Sequence, residues 1–339
     1  MLWGGTARIA AAGPRGAALV RRREDREVHL AIDAGRLRGF ATPLGVNWNR
    51  SPPKEFSFAA RTLSLALRLH GKEALGFELA LSPSLLEPTD GKPGLGGSAR
   101  ATLLAAEAAR YILEERFDAL KLALVAHWEI QGGKGSGGDI AAIFAGGMIR
   151  YRRYPLERLH GARKSGELIA ALASAPPVDI WRLPVAQLSL SYAFSGGSAS
   201  TPNLIAEVEG RMPPPRREKF VDRSEALGDS LESAIAKGNF EAIREAVEGL
   251  HALLKELGPL ETESMRRILA IARTYGGCGK ISGAGGGDGC ILFSPDAQSQ
   301  AAMLEGLKSR GIWALSMPLE PGLRGELQPD EALQSWLKR

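Results

Sequence analysis

Residues 92–110 read KPGLGGSARATLLAAEAAR, a glycine-rich turn that runs directly into an alanine-rich segment. Alanine is the strongest helix former, so the spacing predicts a long helix from Ser98 onward. Ser98 stands where a helix N-cap belongs. The first N–H groups of such a helix have no internal acceptors, and they sit at the positive end of its dipole. Together they favour an anion such as a polyphosphate. The plainer alternative is an ordinary capped helix after a loop. Lys92 and Arg100 on either side favour phosphate, because Arg100 in a first helical turn opposes the dipole unless an anion or acid compensates it.

Two more glycine loops follow, GGKGSGG at 132–138 and the run inside KISGAGGGDGCILF at 280–293. Glycine in an ordered segment costs backbone entropy, so such runs need a reason. GKGSGG at 133–138 has the G-x-G-x-x-G spacing of a dinucleotide loop. The preceding LVAHWEIQG reads as helix, whereas that loop requires a strand, so the assignment fails. A Walker A loop needs Gly-Lys followed by Ser or Thr. The Gly-Lys pairs that begin at 71, 91, 133 and 279 are followed by Glu, Pro, Gly and Ile. Asp139, just after the second loop, either orients a reacting group or caps the helix DIAAIFAGG, and position alone favours the cap. Asp288 in GGGDG has the same ambiguity as a turn acid.

The bulk composition constrains function less. The chain has 339 residues, 44% hydrophobic and 24% charged, with a net charge of +5. A mild basic excess suits anionic small molecules but selects nothing alone. Aromatics are 6% and no Lys/Arg block occurs, which argues against a single-strand nucleic-acid binder. No apolar run reaches the roughly 18 residues of a membrane helix. Cys278 and Cys290 lack zinc-site spacing; they could form one disulfide, but two reduced thiols of a cytoplasmic protein is the favoured reading. The N-terminal MLWGGTARIAAAGPRGAALVRRR has no acid before Glu24. It has the composition of a transit peptide, but Val28, Leu30 and Ile32 continue an alternating pattern. Two short strands joined by the AAGPRG turn are therefore the favoured reading.

Helices are expected over 55–70, from 98 and over 118–131, with strands at 76–84, 148–154 and 186–194. The pattern turns helical after the Pro-rich MPPPRRE at 212–218. Strands and helices mix without a βαβ period, which predicts an α+β fold. The division falls between an N-terminal domain, 1–211, and a C-terminal one, 212–339.

Taken together, these segments resemble the GHMP kinase superfamily. GLGGSA (94–99) resembles its nucleotide motif, P-x-x-x-G-L-G-S-S-A, and KISGAGGGDGCILF resembles its third motif. Within the superfamily the likeness is to phosphomevalonate kinases. KISGAGGGDGC is similar to their K-P-S-G-A-G-G-G-D-C. AHWEIQGGKGSGGDIAAIFAGGMIRYRRY (126–154) is similar to A-H-x-x-A-Q-G-K-x-G-S-G-x-D-V-A-A with I-R-Y-R-R-F, and SGGSASTPNLIAEVEG (195–210) to T-G-x-x-A-S-T.

The resemblance implies a two-domain fold with an S5-like N-terminal and a ferredoxin-like C-terminal domain. It implies ATP- and Mg²⁺-dependent phosphorylation of 5-phosphomevalonate to 5-diphosphomevalonate by a monomer or homodimer, with no nucleic-acid or membrane partner. Residue by residue, Gly94, Leu95, Gly96, Gly97 and Ser98 would cradle the ATP phosphates, with Lys92 and Arg100 beside them and Ser98 on the metal. Asp139 and Lys134 take the catalytic positions. Ser136, Ser198, Ser200 and Thr201 would lie toward the acceptor. Ser282, Gly283, Ala284, Gly285, Gly286, Gly287 and Asp288 would close the site.

The pattern also departs from the family's. Its first motif, P-G-K with a following G-E-Y, would begin before Met1, and Gly5 and Thr6 stand at the Glu and Tyr positions. Gly97 replaces a serine and Arg100 an alanine. Another GHMP kinase acting on mevalonate or a related acceptor, or a catalytically degenerate binding relative, are the alternatives.

Overall fold

The computed structural model describes residues 2–32, 35–73, 76–82, 94–114, 117–133, 135–157, 171–172, 174–197, 208–283 and 285–325. Along the chain run β1 (Thr6–Ala10), β2 (Ala17–Arg22), β3 (Glu27–Ile32), β4 (Gly35–Thr42), β5 (Gly45–Trp48), α1 (Ser57–His70) and β6 (Phe77–Ser82). Then come α2 (Gly97–Leu113), α3 (Ala119–Ile130), α4 (Gly138–Ala145), β7 (Met148–Arg152), β8 (Ile180–Arg182) and β9 (Ser189–Phe194). The described elements end with α5 (Pro214–Lys237), α6 (Phe240–Lys255), α7 (Glu263–Thr274), β10 (Cys278–Ile281), β11 (Gly289–Ser294), α8 (Ala297–Lys308) and β12 (Ala314–Ser316).

The class is α+β, as the mixed pattern predicts. A five-stranded sheet has the order β2-β6-β3-β4-β5, antiparallel except for the β3–β6 pair. Its apolar residues Val28, Leu30, Leu37 and Leu79 share one core with α1, α2 and α3. Buried residues are consecutive from Ala119 to Trp128, so α3 is a central helix covered on all sides. A three-stranded sheet, β1-β7-β8, backs α4. A four-stranded sheet, β10-β11-β9-β12, packs against α7 and α8.

Two local readings change. The AAGPRG turn does join two strands, but they enter different sheets, β1 pairing with β7 and β2 with β6. The Pro-rich stretch at 212–218 begins α5, with prolines in its first turn. Proline is tolerated there because a first-turn N–H has no helical acceptor anyway. β9 precedes residue 212 in sequence yet pairs with β11 and β12.

An ion network ties the N-terminal strand to α5. Arg8 of β1 meets Glu225, Asp229 and Glu232, and Arg150, opposite it on β7, shares Asp229 and Glu232. Gly228 makes room: a Cβ there would lie 2.3 Å from Arg8 Cζ. Cys278 and Cys290 are free and buried, and burial pushes both thiols up to about 12. Among the described residues no helix is long and apolar enough to cross a membrane.

Candidate active site

The first glycine loop bends left-handed at Gly94 (φ 66°) and Gly96 (φ 74°), and Gly96 is the N-cap of α2. Ser98 is therefore not the cap. It lies inside the first turn, and among the described residues no side chain caps the helix. The glycine turn explains the shift, because a left-handed cap leaves the backbone N–H groups bare where a serine cap would have occupied one. The hydroxyl of Ser98 turns instead to α3, where its Oγ lies 3.2 Å from His127 Nε2. Thr102 Oγ1 donates to the Ser98 carbonyl at 2.8 Å and braces the turn.

The second loop starts α4 in the same way. Gly137 (φ 77°) is the N-cap, again without a side-chain cap, so Asp139 is not the cap either. Asp139 sits half-buried in the first turn, where a carboxylate suits the helix dipole, and its Oδ1 accepts the Ile140 N–H at 3.0 Å. The loop is fixed from below by Tyr151, whose hydroxyl donates to the Ser136 carbonyl at 2.9 Å and accepts the Tyr154 N–H at 3.2 Å. Burial pushes the Tyr151 phenol up to about 12, and the Asp139 charge adds to that. Ser136 Oγ accepts the Gly138 N–H at 3.4 Å. The helix preceding this loop, α3, bears out the exclusion of a dinucleotide fingerprint.

His127 links the two loops. It is 2% exposed, and burial holds its imidazole below the ordinary histidine range against the opposing pull of the Asp139 carboxylate. The sequence reading passed over it, although it stands in the AHWEIQ string.

The third loop closes onto the first. Asp288 (φ 55°) presses its carboxyl against Gly94, where an added Cβ would lie 3.2 Å from Asp288 Cγ. Its N–H donates to the Gly197 carbonyl at 2.7 Å, and its own carbonyl accepts the Ser195 N–H at 2.8 Å. The Ser282 N–H donates to the Gly289 carbonyl at 2.8 Å, and the Gly286 N–H to the Leu260 carbonyl at 2.7 Å. The glycines divide by cause. A Cβ at Gly285 would meet Leu260 Cβ at 2.7 Å, and one at Gly289 the Ala193 carbonyl at 2.1 Å, so both serve the protein's own packing. Gly283 is exposed and faces open space. Gly287 is buried.

Arg100 is 8% exposed, and burial lowers its pKa. Its guanidinium donates to the Pro14 carbonyl at 2.9 Å and the Leu95 carbonyl at 3.3 Å, bridging the β1–β2 turn to the first loop. Leu95 is half-buried and Gly97 exposed. The structure thus brings Ser98 and Asp139, in the first turns of α2 and α4, to His127, and sets Asp288 against Gly94 in the first loop. Lys92, Lys134, Ser198, Ser200, Thr201 and Ala284 lie outside the described residues.

Residues 231–312 match the family model described as GHMP kinases C terminal. The phosphomevalonate kinase of Streptomyces sp. (strain CL190) is 32% identical over 288 residues, 79% of this chain and 74% of that protein. The mevalonate kinase of Pyrococcus furiosus is 25% identical over 260 residues, 73% of this chain and 68% of that protein. Among solved structures, the Streptococcus pneumoniae phosphomevalonate kinase in complex with phosphomevalonate and AMPPNP superimposes with a TM-score of 0.73. Its sequence identity is 21%, and 90% of each chain is covered.

Proposed function

The chain belongs to the GHMP kinase family, and on that premise we propose that it transfers the γ-phosphoryl group of ATP to 5-phosphomevalonate, giving 5-diphosphomevalonate and ADP. The observation that carries the reading is the meeting of two uncapped helix starts, α2 and α4, around Ser98, His127 and Asp139. The positive ends of two helix dipoles, both opening at glycine caps, suit a reaction in which both reactants are anions. The 32% identity to a phosphomevalonate kinase supports the acceptor.

In this reading an oxygen of the acceptor phosphate forms the new bond to the γ-phosphorus as the bond to the β-bridging oxygen breaks and ADP leaves. A phosphate acceptor is already ionised near neutral pH, so little proton removal is needed. Asp139 then acts mainly to orient the acceptor, and in-line positioning carries most of the rate. The α2 turn from Gly94 to Ser98 holds the nucleotide phosphates, while Arg100 braces that turn through the Leu95 carbonyl. Asp288 and the third loop close the acceptor side.

Mg²⁺ takes oxygen donors, commonly one or two from protein with the rest from phosphate and water. Ser98 Oγ, 3.2 Å from His127 Nε2, and the Asp139 carboxylate, whose charge acts on the same imidazole, would fit that demand. Among the described residues no group of three or more His, Cys, Asp or Glu side chains is placed to hold a metal by itself. When bound, the ion neutralises charge on the nucleotide phosphates. A second reading, a hydroxyl acceptor, is favoured by the likeness to the Pyrococcus mevalonate kinase.

The test is ADP release with Mg²⁺-ATP and five acceptors in parallel: 5-phosphomevalonate, mevalonate, mevalonate 5-diphosphate, galactose and homoserine. Turnover with 5-phosphomevalonate alone is expected. Turnover with another acceptor would move the function within the family. Silence with all five, in a folded protein that still binds ATP, would favour a binding relative that has lost phosphoryl transfer.

A further inference from the structure

Ser98 Oγ has a buried partner that phosphoryl transfer as described above does not use. His127 lies on α3, beneath the first loop rather than in it. Its Nε2 is 3.2 Å from Ser98 Oγ, and its ring packs against Phe58 with centroids 5.0 Å apart. A Cβ at Gly135, in the second loop, would lie 3.8 Å from His127 Nδ1, so the ring is held between both loops. A serine hydroxyl rotates freely unless a partner fixes it. With the imidazole proton on Nδ1, Nε2 accepts the Ser98 O–H, and the serine lone pairs are left for the nucleotide side. With the rotor free, the same hydroxyl would point its proton at the phosphates or the cation for part of the time.

We propose that His127 is a positioning residue: it accepts the Ser98 hydroxyl proton and thereby holds Ser98 Oγ as an oxygen donor at the cation–phosphate end of the nucleotide. The proposal rests on the kinase reading above. It extends that reading from the residues that face the ligands to one that acts only through Ser98. His127 does not touch the nucleotide, and its effect depends on the serine oxygen being present. Partners that orient metal-binding side chains are typically worth 10–100-fold in metal affinity.

The test is a calorimetric double-mutant cycle on the full chain, read as ATP affinity with saturating Mg²⁺ and again with EDTA. The variants are His127→Leu, His127→Gln, Ser98→Ala and the pair His127→Leu with Ser98→Ala. His127→Leu is expected to lose about 10–100-fold in affinity for Mg²⁺-ATP, while its affinity for metal-free ATP is unchanged. His127→Gln, which returns a polar atom near the Nε2 position, recovers most of that loss. In the Ser98→Ala background His127→Leu costs nothing further. Equal losses with and without Mg²⁺, or additive losses in the pair, would overturn the proposal in favour of a purely structural His127. If His127→Leu does not fold, the Gln variant and Ser98→Ala decide. Ser98→Ala without any Mg²⁺-specific loss would overturn the proposal just as directly. A wild-type chain that binds ATP with no enhancement by Mg²⁺ would sink the metal-dependent kinase reading along with it, whereas normal enhancement with silent variants sinks only the role of His127.

Discussion

Gly137→Ala tests whether the left-handed start of α4 is what positions Asp139. Gly137 has φ 77°, a region where an L side chain costs roughly 1–2 kcal/mol. The new Cβ would also lie 2.3 Å from Leu124 Cδ2 and 3.1 Å from Tyr151 Oη. Leu124 is 1% exposed and Tyr151 is fully buried, so neither moves without disturbing the core. Overpacking of that kind adds about 1–3 kcal/mol. The two costs together come to about 2–5 kcal/mol, which lowers Tm by roughly 5–15 °C for a domain of ordinary size. The rate falls as well. Asp139 is two residues further on, and displacing a positioned group by about 1 Å can cost on the order of 100-fold in turnover.

Gly97→Ala is the internal control. Gly97 opens α2, a Cβ there would meet nothing within 4 Å, and its φ is not left-handed. It should be neutral or gain about 0.4–1 kcal/mol from the stiffer unfolded chain. The assay pairs thermal unfolding of both variants with ADP release by Gly137→Ala. Equal Tm values for the two variants, or a Gly137→Ala enzyme with wild-type turnover, would refute the reasoning.

Four further outcomes are expected. Asp139→Asn should lower turnover by on the order of 100-fold through lost orientation of the acceptor while calorimetry finds ATP affinity nearly intact; unchanged turnover would remove Asp139 from the chemistry. Arg100→Ala should weaken ATP binding by on the order of tenfold, through loss of its bond to the Leu95 carbonyl, and an unaltered dissociation constant would leave it only its link to Pro14. Gly228→Ala would gain up to about 1 kcal/mol in an ordinary helix interior, yet here its Cβ would collide with the Arg8 guanidinium. A net loss is therefore expected in denaturant midpoint, and a gain would show that Arg8 can move aside. Acid stability should follow Glu225. Partial burial alone would raise its pKa, but hydrogen bonds from Thr6 and Arg8 outweigh it and lower the value from 4.5 to about 2. A depressed carboxyl stabilises the fold above its unfolded pKa and loses that contribution as pH falls from about 4.5 towards 2. The midpoint difference between wild type and Glu225→Gln should therefore shrink in that window, and a constant difference would contradict the assignment.

The sequence by itself determined the elements with strong local signals. The alanine run of α2, the apolar α3 and the alternation of β3 report propensity and periodicity, which act within a few residues. The three glycine loops were legible for the same reason, and their motifs carried the family. The helix preceding GKGSGG was enough to exclude a dinucleotide fold. Caps were less legible. Ser98 and Asp139 looked like caps because serine and aspartate usually are. Both stand in the first turn, two residues past a left-handed glycine that caps the helix, and only backbone angles distinguish those cases.

Tertiary structure decided everything that depends on residues far apart in sequence. It sent β1 and β2 into different sheets and paired β9 with strands about a hundred residues or more later in the chain. It turned Arg100 away from solvent toward Pro14, and it set Asp288 against Gly94. His127 is the plainest case. Its position on a buried helix face gives no local sign of function, since a histidine there reads as core. What gives it a role is the 3.2 Å approach to Ser98, a side chain 29 residues away in sequence. Contacts of that kind come from the packing of α3 under both loops, and no propensity or spacing within either segment encodes them.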